Sequence, residues 1–238
     1  MNTIQGNDFL KKLMTESLAA MTGLAMVFSL YMIFVYVPTE RVMGVVQRIF
    51  YVHVPLAWVS FLAFFIVFAA SIAYLSKRDR RWDALAASSA EIGVVFCSLV
   101  LITGPIWAKK AWNTWWTWDP RLTTTLVLWF IYVAYLMLRS FSADEDRGSR
   151  IAAVFGIVGF IDVPIVYTAI HWGRTIHPAL FTAQESGLAP PMMATLMISV
   201  LTFTLLYCCL LIQRFSLFRL REEVDRLKEQ YSCAMIGT

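Results

Sequence analysis

The 238-residue chain is predicted to be an all-α polytopic membrane protein with six transmembrane helices, and three observations predict this class. Hydrophobic residues make up 59% of the chain and charged residues only 15%, whereas soluble domains average about 45–50% and about 25%. Six apolar segments are long enough for a helix to cross a bilayer, which takes about 20 residues. Their apolar residues run continuously, which excludes the alternating strands of a membrane β-barrel.

The six predicted spans form one membrane domain over residues 1–213, followed by a tail over 214–238. The spans lie roughly at 17–38, 52–75, 85–107, 122–140, 151–171 and 191–213. In the tail, LFRLREEVDRLKEQY places apolar residues three and four positions apart, which predicts an amphipathic cytoplasmic helix. This helix either lies against the membrane or the protein's own loops, or it docks a cytoplasmic partner. Its two heptads are too few to decide.

The distribution of Lys and Arg predicts the orientation, because cytoplasmic loops of membrane proteins are enriched in these residues. Most of the 20 Lys and Arg residues fall on the side of the two termini, including those of the SKRDRRWD turn between spans two and three. Both termini are therefore predicted to be cytoplasmic. The net charge of +4 does not indicate a nucleic-acid partner, since the basic residues are distributed between spans that face a lipid bilayer.

The predicted outer loop between spans three and four contains the segment WNTWWTWDPRLT, residues 112–123. Tryptophan gathers at membrane interfaces because its ring is apolar and its N–H is polar, and this accounts for one or two tryptophans in a loop. It accounts poorly for the five that occur within twelve residues here. These are Trp107, Trp112, Trp115, Trp116 and Trp118. We interpret them as an aromatic surface for a large, flat, apolar ligand.

Two residues that follow the tryptophans are predicted to shape the same loop. Asp119 is interpreted as a structural acceptor for backbone or indole N–H groups, and not as an iron ligand. Pro120 fixes φ and biases the preceding residue away from helix, so the chain is expected to turn there before span four begins.

The three histidines of the chain, His53, His171 and His177, all fall at or near the predicted outer surface. A single interfacial histidine is usually only an amphipathic residue, but imidazoles also suit axial coordination of a haem iron. Arginines on the same side suit carboxylates, which a guanidinium holds through two parallel hydrogen bonds. A flat ligand with iron and carboxylates describes haem. Each feature also has a structural explanation, so the residues alone leave both interpretations open.

Glu91 and Asp162 are ionisable residues within predicted spans three and five, which makes them functional candidates. They are equally well explained as hydrogen-bonded packing residues. A small-molecule permease that used them would leave the tryptophans unexplained. The cysteines show no disulfide or metal-binding pattern and are interpreted as small apolar residues. They are Cys97, Cys208, Cys209 and Cys233.

The tryptophan-rich segment resembles the WWD signature of the haem-handling proteins of cytochrome c biogenesis. The following R-L-T, the RIFYVHVP before span two and the VPIVY…W…T-x-H after span five resemble the haem exporter protein C (CcmC) branch, over about residues 20–213. The resemblance implies a protein of the bacterial inner membrane that is not an enzyme. Such proteins bind haem b as transient cargo at the periplasmic face and deliver it to the haem chaperone CcmE. They work beside the CcmA/CcmB transporter and CcmD.

The resemblance also implies a site. His53 and His177 match the two axial ligands, whereas His171 lies where the pattern requires no histidine. Arg48 and Arg121 match basic positions, and guanidinium chemistry makes them candidate partners of the haem propionates. The rest of the implied site consists of Trp112, Trp115, Trp116, Trp118 and Asp119.

The sequence departs from the family pattern at two positions near the tryptophan segment. Asn113 stands where the family usually has glycine, and Ala108 where it often does. Both positions bear on the geometry of the loop, and asparagine tolerates unusual φ angles.

The competing function is a b-type haem protein that transfers electrons across the membrane. Such proteins hold haem between helices, often with paired histidines on one span and two haems stacked across the bilayer. Here no histidine is predicted at mid-span or near the cytoplasmic side, which argues against this function.

Overall fold

The computed structural model describes residues 2–141, 145–171, 177 and 188–236, and this part of the chain is almost entirely helical. Its α-helices are α1 Asn2–Tyr31, α2 Phe50–Lys77, α3 Arg80–Trp112, α4 Pro120–Ser140, α5 Glu145–Gly159, α6 Asp162–Thr168 and α7 Pro190–Ile236. A π-helical turn, Met32–Tyr36, extends α1, and 3-10 turns at Val45–Ile49 and Ala169–His171 precede α2 and follow α6. Within the described residues, six segments are long and apolar enough to cross a membrane. The all-α class and the six spans are therefore confirmed.

Helices α2 and α3 extend beyond their predicted spans at both ends, α2 by two residues and α3 by five at each end. Hydropathy marks only the part of a helix that suits hydrocarbon, whereas the helix continues until a local stop. Arg78 stops α2 with a left-handed φ of 56°, and Asp79 caps α3 by accepting a hydrogen bond from the Arg81 N–H at 2.9 Å. Asn113, also at a φ of 56°, stops α3 at its other end.

Helices α2 and α3 form an antiparallel hairpin at the centre of the bundle, and α4, α5 and α7 pack around it. Gly93 permits the close approach of the two helices, because a Cβ at this position would lie 2.7 Å from the Phe64 ring. Phe64 in turn stacks on Tyr132 of α4 with ring centroids 3.7 Å apart. The buried core of the bundle is thus centred on the hairpin.

The fifth span is a broken helix, although the sequence predicted one continuous span over 151–171. Helix α5 ends at Gly159, where a Cβ would lie 2.5 Å from Ile131 of α4, and α6 begins at Asp162. Pro164 has no N–H to donate to the Phe160 carbonyl, which accepts from the Val163 N–H at 3.0 Å instead. The small residue and the proline together explain the break within an apolar run.

The sixth span and the tail form a single helix. Helix α7 runs for 47 residues without a break, about 70 Å at 1.5 Å per residue, which is more than twice the thickness of the hydrocarbon core. The segment predicted to be a separate helical tail is a direct continuation of the span. The apolar residues that recur three and four positions apart in this segment are exposed in this chain and comprise Leu217, Leu220, Val224, Leu227 and Tyr231.

Ion pairs join the helices around the hairpin. Glu91 of α3 accepts two hydrogen bonds from Arg214 of α7, with Nη2 at 2.8 Å from Oε1, which supports its interpretation as a packing residue. Asp83 of α3 is held by both terminal nitrogens of Arg139 from α4 and by the Ser149 hydroxyl of α5. The cysteines whose side chains are described, Cys97, Cys208 and Cys209, are free, and the side chain of Cys233 lies outside that set.

Candidate haem site

A cavity of about 270 Å³ opens between α2, α3, α4 and α6 near the segment that joins α3 to α4. Its wall is largely apolar but also includes polar and aromatic residues, with all three histidines among them. These residues include His53, Trp107, Arg121, Tyr167, His171 and His177. We call this space the histidine cavity. It brings His53 of α2 together with His171 and His177, which follow it by 118 and 124 positions in the sequence.

His53 is held on the wall of the cavity by α3. It lies in the second turn of α2 and is 8% exposed. Its Nδ1 is 2.8 Å from the Thr103 hydroxyl oxygen, and its ring centroid is 6.1 Å from that of Trp107. Thr103 was not predicted as a functional residue, because a threonine within an apolar span carries no signal of its own. The only hint was its place in a Thr-Gly-Pro triplet, 103–105.

Four aromatic rings form a row that has His53 at one end and His177 at the other. The row runs from His53 through Trp107 and Trp112 to His177, with successive centroid distances of 6.1, 5.5 and 6.3 Å. Burial lowers the pKa of His177 to about 4; the positive charge of Arg121 adds to this, and the charge of Asp119 opposes it. The imidazole is therefore neutral at pH 7, which is the form whose nitrogen lone pair can bind a metal.

The tryptophans divide into an inner pair and an outer group. Trp107 and Trp112 belong to the row of rings, whereas Trp115 and Trp118 are 59% and 76% exposed and lie outside the cavity wall. Trp116 is half-buried and meets Trp118 edge-on, with centroids 5.7 Å apart.

Asn113 marks the division between the two groups, because its left-handed backbone ends α3 and turns the chain. Its side-chain oxygen accepts a hydrogen bond from Lys109 at 2.9 Å. The expected tolerance of asparagine for an unusual φ is therefore confirmed. Ala108, the other departure from the family pattern, is buried within α3.

Asp119 and Pro120 start α4 as the sequence predicted. The Asp119 carboxylate accepts from the Leu122 N–H at 2.9 Å and caps the helix, while Pro120 occupies its first turn, where a missing N–H is not needed. The role of Asp119 as an acceptor for backbone N–H groups is confirmed. This cap aligns the first turn of α4 so that Arg121 reaches the histidine cavity.

The two predicted arginines lie in different places. Arg121 contributes to the cavity wall. Arg48, in the turn before α2, lies outside that wall with its guanidinium carbon 6.0 Å from the centre of the Phe34 ring. The buried Nε of Arg48 has no hydrogen-bond partner among the described residues. His171 closes the 3-10 turn after α6 with an exposed side chain on the cavity wall.

The chain matches the family model described as CcmC, Heme exporter protein C, over residues 5–230. Heme exporter protein C of Bradyrhizobium diazoefficiens is 33% identical over 195 residues, which cover 81% of this chain and 74% of that protein. The proteins of the same name from Haemophilus influenzae and Escherichia coli K12 are 31% and 33% identical. Their matched segments cover 80% and 76% of this chain, and 78% and 74% of the relatives.

Proposed function

The chain belongs to the heme exporter protein C family, and we propose that it binds haem b as transient cargo and delivers it to the chaperone CcmE during cytochrome c maturation. It works beside the CcmA/CcmB transporter and CcmD in the bacterial inner membrane. Both termini are cytoplasmic in this proposal, so the histidine cavity faces the periplasm. The observation that carries the proposal is the row of rings from His53 to His177, of which His53, Trp107 and His177 line one cavity.

Two imidazoles on different elements suit a ligand that must be captured and later released. His53 is buried on a long helix and is hydrogen-bonded to Thr103, so it is the fixed ligand. His177 follows the short helix α6 and lies outside the spanning segments. Loss of the bond from iron to His177 would free one face of the haem while His53 keeps the other. The protein then acts as a loading platform, and energy from ATP comes from its partners.

The size of the cavity supports partial exposure of the porphyrin. Its volume of about 270 Å³ is just below the roughly 300–1,000 Å³ of pockets that bury most of a small ligand. A haem seated between His53 and His177 therefore extends beyond the described wall. The exposed rings of Trp115 and Trp118 are available as apolar contacts for this part of the haem or for the chaperone. Such an edge is accessible to a histidine of the chaperone.

The propionates are assigned first to Arg121, because its guanidinium is on the cavity wall and forms no ion pair with a described residue. Arg48 is the second candidate and would act outside the wall, beside Phe34. Charge-assisted hydrogen bonds from guanidinium to carboxylate are about twice as strong as neutral ones, so they would orient the haem as well as hold it.

Absorption spectra of the purified protein test the proposal, with and without co-expression of the chaperone. The wild type is expected to accumulate six-coordinate haem when the chaperone is absent. His53→Ala and His177→Ala are each expected to change the coordination or remove the haem. Absence of haem from the wild type, or a wild-type spectrum that persists unchanged in both variants, would overturn the site. The tryptophan segment would then be a docking surface for a partner.

A further inference from the structure

The imidazole of His53 packs edge-on against the Thr-Gly-Pro triplet of α3. The Thr103 hydroxyl oxygen lies 2.8 Å from Nδ1, and the absent side chain of Gly104 leaves room beside the neighbouring ring carbon. A Cβ at Gly104 would stand 3.3 Å from Cε1 of His53, which is tighter than nine in ten real Cβ contacts. Trp107, one helical turn further along α3, contacts the same ring. One short segment of α3 thus fixes both the position and the tilt of the imidazole.

The hydrogen bonds of Thr103 determine which nitrogen of His53 carries the proton. The hydroxyl oxygen also lies 2.7 Å from the carbonyl oxygen of Leu99. A hydroxyl has one hydrogen, and a carbonyl can only accept. If Thr103 donated to His53, two oxygens without a shared hydrogen would face each other at 2.7 Å. Both contacts are hydrogen bonds only when Thr103 donates to Leu99 and the Nδ1–H of His53 donates to Thr103.

We propose that Thr103 is a positioning residue that fixes the Nδ1–H tautomer of His53 and leaves the lone pair of Nε2 for the haem iron. This inference rests on the proposed function. An acceptor on Nδ1–H makes Nε2 a stronger electron donor, which favours ferric over ferrous iron. The hydroxyl therefore strengthens haem binding and lowers the midpoint potential of the bound haem.

The test compares haem affinity and midpoint potential in Thr103→Val, Thr103→Ser and the wild type. Valine keeps the shape of threonine but has no acceptor, and loss of such a partner typically costs about 10-fold or more in metal affinity. The potential is expected to rise, by about 59 mV for each tenfold loss of ferric preference. Serine retains the hydroxyl, so Thr103→Ser is expected to behave as the wild type does.

Thr124→Val is the matched control, since the Thr124 hydroxyl donates to the Pro120 carbonyl within its own helix at 2.7 Å and does not line the histidine cavity. It is expected to change neither quantity. Thr103→Ala removes the same acceptor with less bulk, and it replaces Thr103→Val as the test if the valine variant does not elute as a folded species.

The outcomes separate this inference from the proposed function. If His53→Ala alters the haem spectrum while the valine and alanine variants keep the wild-type affinity and potential, Thr103 has no role in positioning and the inference is overturned. A serine variant that shifts as valine does would also overturn it, since the methyl group and not the hydroxyl would matter. A wild type without haem, or a His53→Ala variant with an unchanged spectrum, overturns the proposed function and this inference with it.

Discussion

The charged side chains at the two ends of the helical bundle differ in whether they form ion pairs. At the end where α3 begins, Asp83 is held by Arg139 and Ser149, and the three residues join α3, α4 and α5. At the end where α3 stops, Arg121 and Arg48 form no ion pairs within the described part of the chain. The two imidazoles there have neighbours that orient them but leave a cavity between them.

This difference separates stability from binding. A buried charge that is paired and hydrogen-bonded ties helices together, and removal of one partner leaves the other charge uncompensated. An arginine without an ion pair beside an apolar cavity has hydrogen bonds to offer to a ligand that carries carboxylates. The end with Asp83 therefore holds the helices together, and the end with the histidine cavity keeps its polar groups available for a ligand.

The largest expected effect comes from loss of the ion pair between Arg139 and Asp83. Arg139→Ala leaves the carboxylate of Asp83 buried without its main partner, and such a change typically costs about 3–5 kcal/mol of folding free energy. The side chains of Arg139 and Asp83 are only 15% and 8% exposed. The thermal unfolding midpoint in detergent is expected to fall strongly for Arg139→Ala and little for Arg121→Ala. Equal losses in the two variants would remove the contrast between the ends.

The next largest effect tests whether Arg121 binds the haem propionates at the end of the bundle that contains the histidine cavity. Arg121→Ala is expected to weaken haem binding by about 1.5–3 kcal/mol, roughly 10- to 100-fold in Kd. Haem dimethyl ester, which lacks the carboxylates, is expected to bind both proteins alike. Arg48→Ala is expected to have a smaller effect, because Arg48 lies outside the cavity wall. Equal discrimination against the ester by the wild type and Arg121→Ala would contradict the assignment.

His171 provides a finer test, because it lines the same cavity as the two proposed ligands. Its side chain is exposed, and no ring contact among the described residues joins it to the row from His53 to His177. His171→Ala is expected to keep six-coordinate haem, with a change in Kd of less than about threefold. A five-coordinate spectrum in this variant would show that His171, and not His177, is the second ligand.

The smallest effect is expected at Asn113, the residue that terminates α3. Because its φ is positive, Asn113→Gly removes side-chain strain but also loses the hydrogen bond from Lys109, so the free energy of unfolding changes by less than about 1 kcal/mol. Asn113→Val is expected to cost about 1–2 kcal/mol, since a branched side chain tolerates this backbone poorly. Denaturant unfolding of the two variants measures the difference, and a valine variant as stable as the glycine variant would contradict it.

Apolar length predicted the six spans, and residue chemistry predicted that His53, His177, Trp112 and Arg121 belong to one region. Helix ends were not predictable from hydropathy, because single residues such as Asn113 set them through backbone conformation. The break in the fifth span depends on a close contact of Gly159 with another helix, which only the fold reveals.

The site was predicted less completely than the spans. Thr103 was not predicted, because the sequence does not distinguish a hydroxyl that bonds only to its own helix from one that also bonds to an imidazole. The separation of Arg48 from Arg121 follows from the path of the turn before α2, which no motif specifies.

The unbroken length of α7 has a mechanical consequence for the row of rings. Near its start, Met192 and Leu196 pack in the same buried cluster as Trp107. Its last turns extend well past the ion pair between Arg214 and Glu91. An unbroken helix joins its two ends mechanically, so a displacement of the exposed turns is carried along α7 toward the segment in the Trp107 cluster. The helix extends by similar lengths on the two sides of Arg214, 24 residues back to Pro190 and 22 residues on to Ile236, so the segment that packs beside Trp107 and the exposed segment are two comparable arms of one element.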